Sequence, residues 1–119
     1  MAVAAFIDHQ VSMIREGQIH AFLAWLEANE SRLAELMPAG SKWLGVYGEV
    51  IGGDSPGWWH TLLGLDNYGA LDAVAEAVRD PNTELGRLIN EMNDFFDPSN
   101  SSRNARWLYR AAPNIIVWE

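Results

Sequence analysis

Few side chains in this sequence are suited to moving a proton. They are His9, His20 and His60, together with Asp8 and Glu49, two carboxylates that fall close to aromatic residues. An unperturbed imidazole titrates near neutral pH, which suits it to general acid–base work. His60 stands in Trp58-Trp59-His60-Thr61, where indoles would line its surroundings. Two readings stand side by side for it: a base facing a cavity, or a strand histidine bonded to backbone. His9 falls on the opposite strand parity from Asp8, and His20 on the wet side of a helix. Asp8, Gln10 and Glu49 share a parity with the aromatics Trp43 and Tyr47 on their strands. A carboxylate set among rings loses hydration, which disfavours its charged form and poises it as a base. The competing reading is an ion pair with Arg106 or Arg110 at a sheet rim. Arg103, Arg106 and Arg110 carry three of the eight basic charges. A guanidinium matches a carboxylate or phenolate in bidentate fashion, so they would clamp a ligand or pair across a dimer.

Other chemistries lack their residues. The sequence has no cysteine, which removes disulfides, thiol nucleophiles and thiolate metal sites. The three histidines sit on separate elements without a His-x-x-x-His pair, so no metal is expected. Gly52-Gly53 opens a turn rather than a helix, so it is no dinucleotide fingerprint, and no Gly-x-Ser-x-Gly elbow occurs. The net charge is −8, with seven arginines and a single lysine, Lys42. Such a chain is poorly suited to nucleic acid, whose grip depends on releasing counterions from many basic contacts. No apolar run approaches the roughly 18 residues of a membrane helix, and the N-terminus has no basic region before Asp8. A cytoplasmic protein is therefore expected, and Asn29-Glu30-Ser31 and Asn100-Ser101-Ser102 read as chance glycosylation triplets. At 119 residues, one domain over 1–119 is expected.

The elements that would position these groups follow from periodicity. Residues 2–15 alternate as a strand, with Val3, Ala5, Ile7, Val11 and Met13 on one parity and Phe6, Asp8, Gln10 and Ser12 on the other. The first set suits packing under helices. From about Glu16 to Met37, Ile19, Phe22, Leu23, Leu26, Leu33, Leu36 and Met37 follow helical spacing, with Gly17 at the start and Pro38 and Gly40 at the stop. Lys42 to Ile51 and Trp58 to Leu65 read as two strands joined by the Gly52–Gly57 turn cluster. Asp66 or Asn67 caps a second helix with Leu71, Val74, Ala75 and Val78 as its stripe. Asp80-Pro81 starts a third that runs to about Phe96. Arg103 to Ala112 reads as a fourth strand and Asn114 to Glu119 as a fifth strand or tail.

The order is β-α-β-β-α-β, the second helical unit split in two. This is the α+β, ferredoxin-like pattern of a four-stranded antiparallel sheet with helices on one face. Parity places Phe6, Trp43, Tyr47, Trp107 and Tyr109 on the uncovered face, with one of Trp58 and Trp59. A large apolar patch does not stay in water, so a second copy of the chain is expected to close on it.

The segments REGQIHAFLAWLEAN, SKWLGVYGEVIGG, WWHTLLGLDNYGALDAV and SSRNARWLYRAAP, in that order and spacing, resemble the dimeric α+β barrel superfamily. That superfamily includes the antibiotic-biosynthesis monooxygenase-like and NIPSNAP-like families. The resemblance implies a homodimer with a cavity between sheet and helices. Some members are cofactor-free oxygenases of polycyclic aromatics; others degrade haem, isomerise or dehalogenate. Fold alone does not choose among these.

Two expectations follow. In the first, an apolar or aromatic small molecule binds among Phe6, Gln10, Trp43, Tyr47, Trp59, Arg106, Trp107 and Tyr109. His60, Asp8 or Glu49 then removes a proton, without a cofactor. In the second, the aromatics simply pack a non-catalytic dimer interface.

Overall fold

The computed structural model describes residues 4–48, 58–98 and 106–109. Glu49, Arg103, Arg110 and the 114–119 segment lie outside them. The order along the chain is β1 (Phe6–Met13), α1 (Ile19–Glu35), β2 (Ser41–Gly48), β3 (Trp58–Leu65), α2 (Gly69–Arg79), α3 (Glu84–Asn93) and β4 (Arg106–Tyr109). The strands are antiparallel in the order β2-β3-β1-β4. This is an α+β fold.

Each helix buries one stripe against the sheet. In α1, Phe22 and Leu33 are eleven residues apart, three turns, and both are fully buried. In α2, Ala70 and Val74 stand one turn apart, and in α3, Leu85, Leu88 and Met92 follow the same logic. The aromatic centre of the core is Phe22, whose ring meets Trp59, Phe95 and Phe96 at centroid distances of 5.5–5.7 Å.

Helix ends differ from expectation for local chemical reasons. Asp80-Pro81 makes a turn rather than a helix start, because the Asp80 carboxylate accepts the Asn82 N–H at 2.9 Å. Thr83 caps α3 instead, its hydroxyl accepting the Gly86 N–H at 3.1 Å. A Cβ at position 86 would collide with the Asp80 carbonyl, so the turn and helix approach each other closely only over glycine. Asn67 serves α2 in the expected way, accepting the Ala70 N–H on its side chain at 3.0 Å. Gly17 lies in the turn before α1, with φ +78°. After α3 the chain turns back, and Phe96 bridges to Ile14 beyond the end of β1.

The sheet faces are the reverse of the parity expectation. Ile14 belongs to the helix-side core, Phe6 packs against the cluster of Leu63, Leu65, Ala70 and Val74, and Asp8 and Gln10 face α2 and α3. The even residues of β1 therefore lie beneath the helices. Ile7, His9, Val11 and Met13 form the opposite face. On β2 a bulge between Trp43 and Gly45 adds a second departure. Trp43 pairs with Leu63 and Val46 with Thr61, so two residues three apart share the helix side. Tyr47 pairs with His60 on the other side. The bulge thus separates Trp43 from Tyr47, which simple alternation had placed together.

Gly45 carries the bulge at φ +128°, a conformation side chains rarely adopt. A Cβ there would meet only the Tyr47 ring at 3.4 Å, an ordinary contact. The expected loss for Gly45→Ala is therefore backbone strain, on the order of 1–3 kcal/mol. Denaturant unfolding measures it; a neutral substitution would mean that the bulge does not need this conformation.

Candidate functional site

A cavity of about 290 Å³ lies between the helix side of the sheet and the α2–α3 pair. Its floor is Asp8, Gln10, Trp43, Thr61 and Leu63, and its roof comes from Leu71, Val74, Ala75 and Val78 of α2 with Ile89, Met92 and Asn93 of α3. Met37 and Phe96 complete the lining. Gln10, Ala75 and Asn93 are the exposed lining residues and mark the mouth, whereas Asp8 is only 6% exposed. The volume sits at the small end of the roughly 300–1,000 Å³ range of ligand sites, and the chemistry is of the same kind: apolar walls with a few convergent polar groups.

Those polar groups are Asp8, Gln10, Thr61 and Asn93. The Gln10 amide donates to Asp8 Oδ2 at 3.1 Å. An ionised carboxylate has about four acceptor positions, so this bond leaves most of Asp8's capacity unused. Among the described residues, no Lys, Arg or His lines the cavity. Trp43 presents its ring with its own donor already occupied: Nε1 donates to Glu30 Oε2 of α1 at 2.9 Å.

The remaining candidate residues divide among other places. His60 lies on the opposite sheet face, where its Nδ1 is 2.7 Å from Nε2 of His9 and the two rings stack at 5.0 Å. Asp8 and His60, grouped by sequence as alternative bases, are therefore on different sides of the sheet. Tyr47 is 56% exposed on that opposite face. Trp59 is on the helix side beside Phe22 but outside the cavity lining, and its buried indole N–H has no partner among the described residues. Phe6 is at the far end of β1, its ring 4.3 Å from that of Tyr68. Arg106, Trp107 and Tyr109 occupy β4 at register positions opposite His9, Asp8 and Phe6.

Sequence reasoning missed Thr61 and Asn93 as cavity residues. Thr61 becomes visible once the phase of β3 is known, since it alternates with His60. Asn93 had no local signal, because only the turn of the α3 C-terminus over β1 brings it there.

Along the outside, carboxylates serve indoles and arginines. Glu91 accepts the Trp25 Nε1–H at 2.9 Å and the Arg87 guanidinium at 2.6 Å. The indole bond first, and then Arg87, hold its carboxyl below the usual carboxylate range. Arg32 of α1 grips Glu84 at the start of α3 with two bonds of 2.8 and 2.6 Å, which lowers Glu84 in the same way.

No family model and no curated protein matches the sequence. Solved structures do match in shape. An uncharacterized NIPSNAP domain protein from Burkholderia xenovorans superposes with a TM-score of 0.66 at 14% identity, over 90% of this chain and 95% of its own. A NIPSNAP family protein from Agrobacterium tumefaciens C58 gives 0.68 at 11% identity, over 98% and 95%. The fold is that of these NIPSNAP-domain structures. A conserved protein from Methanosarcina mazei Go1 also matches, with a TM-score of 0.56 at 14% identity over 90% and 91%. Among the described residues, no helix is long and apolar enough to cross a membrane.

Glu91 yields a pH prediction. A carboxyl whose folded pKa is depressed contributes stability that is present above its ordinary value and lost as pH falls through the folded pKa. Wild type should therefore be more stable than Glu91→Gln at pH 7, with the gap closing in acid below the ordinary 4.5. The pair is exposed and screened, so the gap is small. Urea unfolding of both proteins at pH 7 and pH 3 tests this; an equal gap at both pH values contradicts it.

Proposed function

We propose that the chain is a single α+β domain, residues 1–119, that binds an apolar or aromatic small molecule in the cavity between sheet and helices. The observation that carries this reading is a nearly buried carboxylate, Asp8, with unused acceptor positions at the floor of an otherwise apolar cavity. We propose further that the bound molecule is turned over without a cofactor. Asp8 takes a proton from it, and the Thr61, Gln10 and Asn93 side chains hold the oxyanion that proton removal leaves. Oxygenation, isomerisation and cyclisation all start from such a step.

Dimerisation belongs to the same proposal but to the other face. The complete ferredoxin-like sheet pairs there with a second copy, through Tyr47, 56% exposed, and Leu108, 42% exposed, around the His9–His60 pair. The non-catalytic alternative makes this interface the whole purpose of the aromatics. In that reading Trp43 and Trp59, which lie on the helix side, take no part in the interface.

Titration with 2-naphthol, read by tryptophan quenching, should show saturable binding. Ala75→Trp, an exposed helix position at the mouth, should weaken it at least about tenfold, or about 1.4 kcal/mol, with the circular dichroism unchanged. Binding unaffected by a blocked mouth would place the ligand elsewhere. Sedimentation velocity at micromolar concentration should report twice the chain mass, and Leu108→Asp should reduce it to a monomer; a wild-type monomer contradicts the interface.

A further inference from the structure

The charge pattern of the cavity selects a head group. Among the described residues its lining holds one ionisable residue, Asp8, and no Lys, Arg or His. Asp8 accepts a single bond, from the neutral Gln10 amide, and is 6% exposed. A buried carboxylate without a cationic partner is costly, because neutral donors replace only part of its hydration. A ligand that brings a positive charge repairs that deficit. The long-range field has the same sign, since the chain carries a net charge of −8. An anionic ligand meets both effects as repulsion.

Resting on the small-molecule binding read above, and with Asp8 as counter-charge in place of proton acceptor, we propose that the cavity takes a cationic amine: an aromatic or apolar body against Trp43, Leu63 and Val74, with a protonated amino group on Asp8. The ammonium donates to the free Asp8 oxygen positions, and Thr61 and Asn93 are the remaining acceptors on the lining. The apolar walls supply affinity by area, and Asp8 supplies selectivity among molecules of one shape.

Three ligands of one shape test this: 2-naphthylmethylamine, 2-naphthol and 2-naphthoate, each titrated calorimetrically at pH 7 into the full chain. The expected order is amine, then naphthol, then naphthoate, with at least about tenfold between the ends, as befits a buried charge pair formed or opposed. Asp8→Asn should collapse the order to within about threefold while naphthol still binds. Naphthoate binding as tightly as the amine in wild type would overturn the proposal, with no variant needed. So would an amine preference that survives in Asp8→Asn. Equal binding of all three leaves the cavity reading intact and removes only the amine, whereas failure of all three to bind overturns both.

Discussion

The pleat of β1 joins the core to the cavity. Successive side chains on a strand point to opposite faces, so the burial of any one residue fixes the direction of all the others. Ile14 packs into the cluster around Phe22, and Phe6 into the cluster around Leu65. Between those two anchors the even residues have no freedom, and Asp8, Gln10 and Ser12 must lie beneath the helices. Asp8 is held in an apolar layer by its neighbours along the strand. Slipping the register by one residue would release the carboxylate to the other face only by also withdrawing Phe6 and Ile14 from the core.

The same rigidity explains how a chain with this many indoles and carboxylates distributes them. Trp25 and Trp43 are half-buried, and each directs its N–H to a glutamate on a facing or neighbouring helix, Glu91 and Glu30. A buried indole donor left unpaired costs roughly 1–3 kcal/mol, so these glutamates are structural partners of the aromatic layer. Asp8 is different. Among the described residues its one bond, from Gln10, comes from its own strand, two residues away, and it faces the cavity. The contrast between carboxylates that serve the fold and one that faces a cavity marks the site more sharply than the position of any histidine.

Much of the architecture was legible in the sequence. The change of period at Gly17, the stops at Pro38 and Gly40, and the split helical unit gave the order of elements, and the spacing of segments gave the superfamily resemblance. The phase of the strands was not legible. A sheet with apolar residues on both faces shows weak contrast between its parities: Ile7, Val11 and Met13 on one side are matched by Phe6 and Ile14 on the other. Alternation therefore could not say which set the helices cover. The bulge at Gly45 was hidden as well, since a lone strand glycine does not reveal that two residues will oppose one. Together these two features moved Trp43 to the cavity, kept Tyr47 on the far face, and parted Asp8 from His60. Asp8, Gln10 and Trp43 were named from the sequence and line the cavity together, but by an argument that assigned them the wrong face.

With the faces assigned, ligand binding and dimerisation cease to compete for the same aromatics. The helix side holds the cavity, and the far side is where we propose that a second copy closes. The most direct test is an amide and indole NMR titration with 2-naphthylmethylamine, following the indole N–H resonances of Trp43 and Trp58. Trp43 lines the cavity, and Trp58 pairs with Met13 on the far face. The account predicts that the Trp43 resonance shifts saturably while that of Trp58 stays in place. A shift at Trp58 with Trp43 unmoved would put the ligand on the wrong side of the sheet and contradict it.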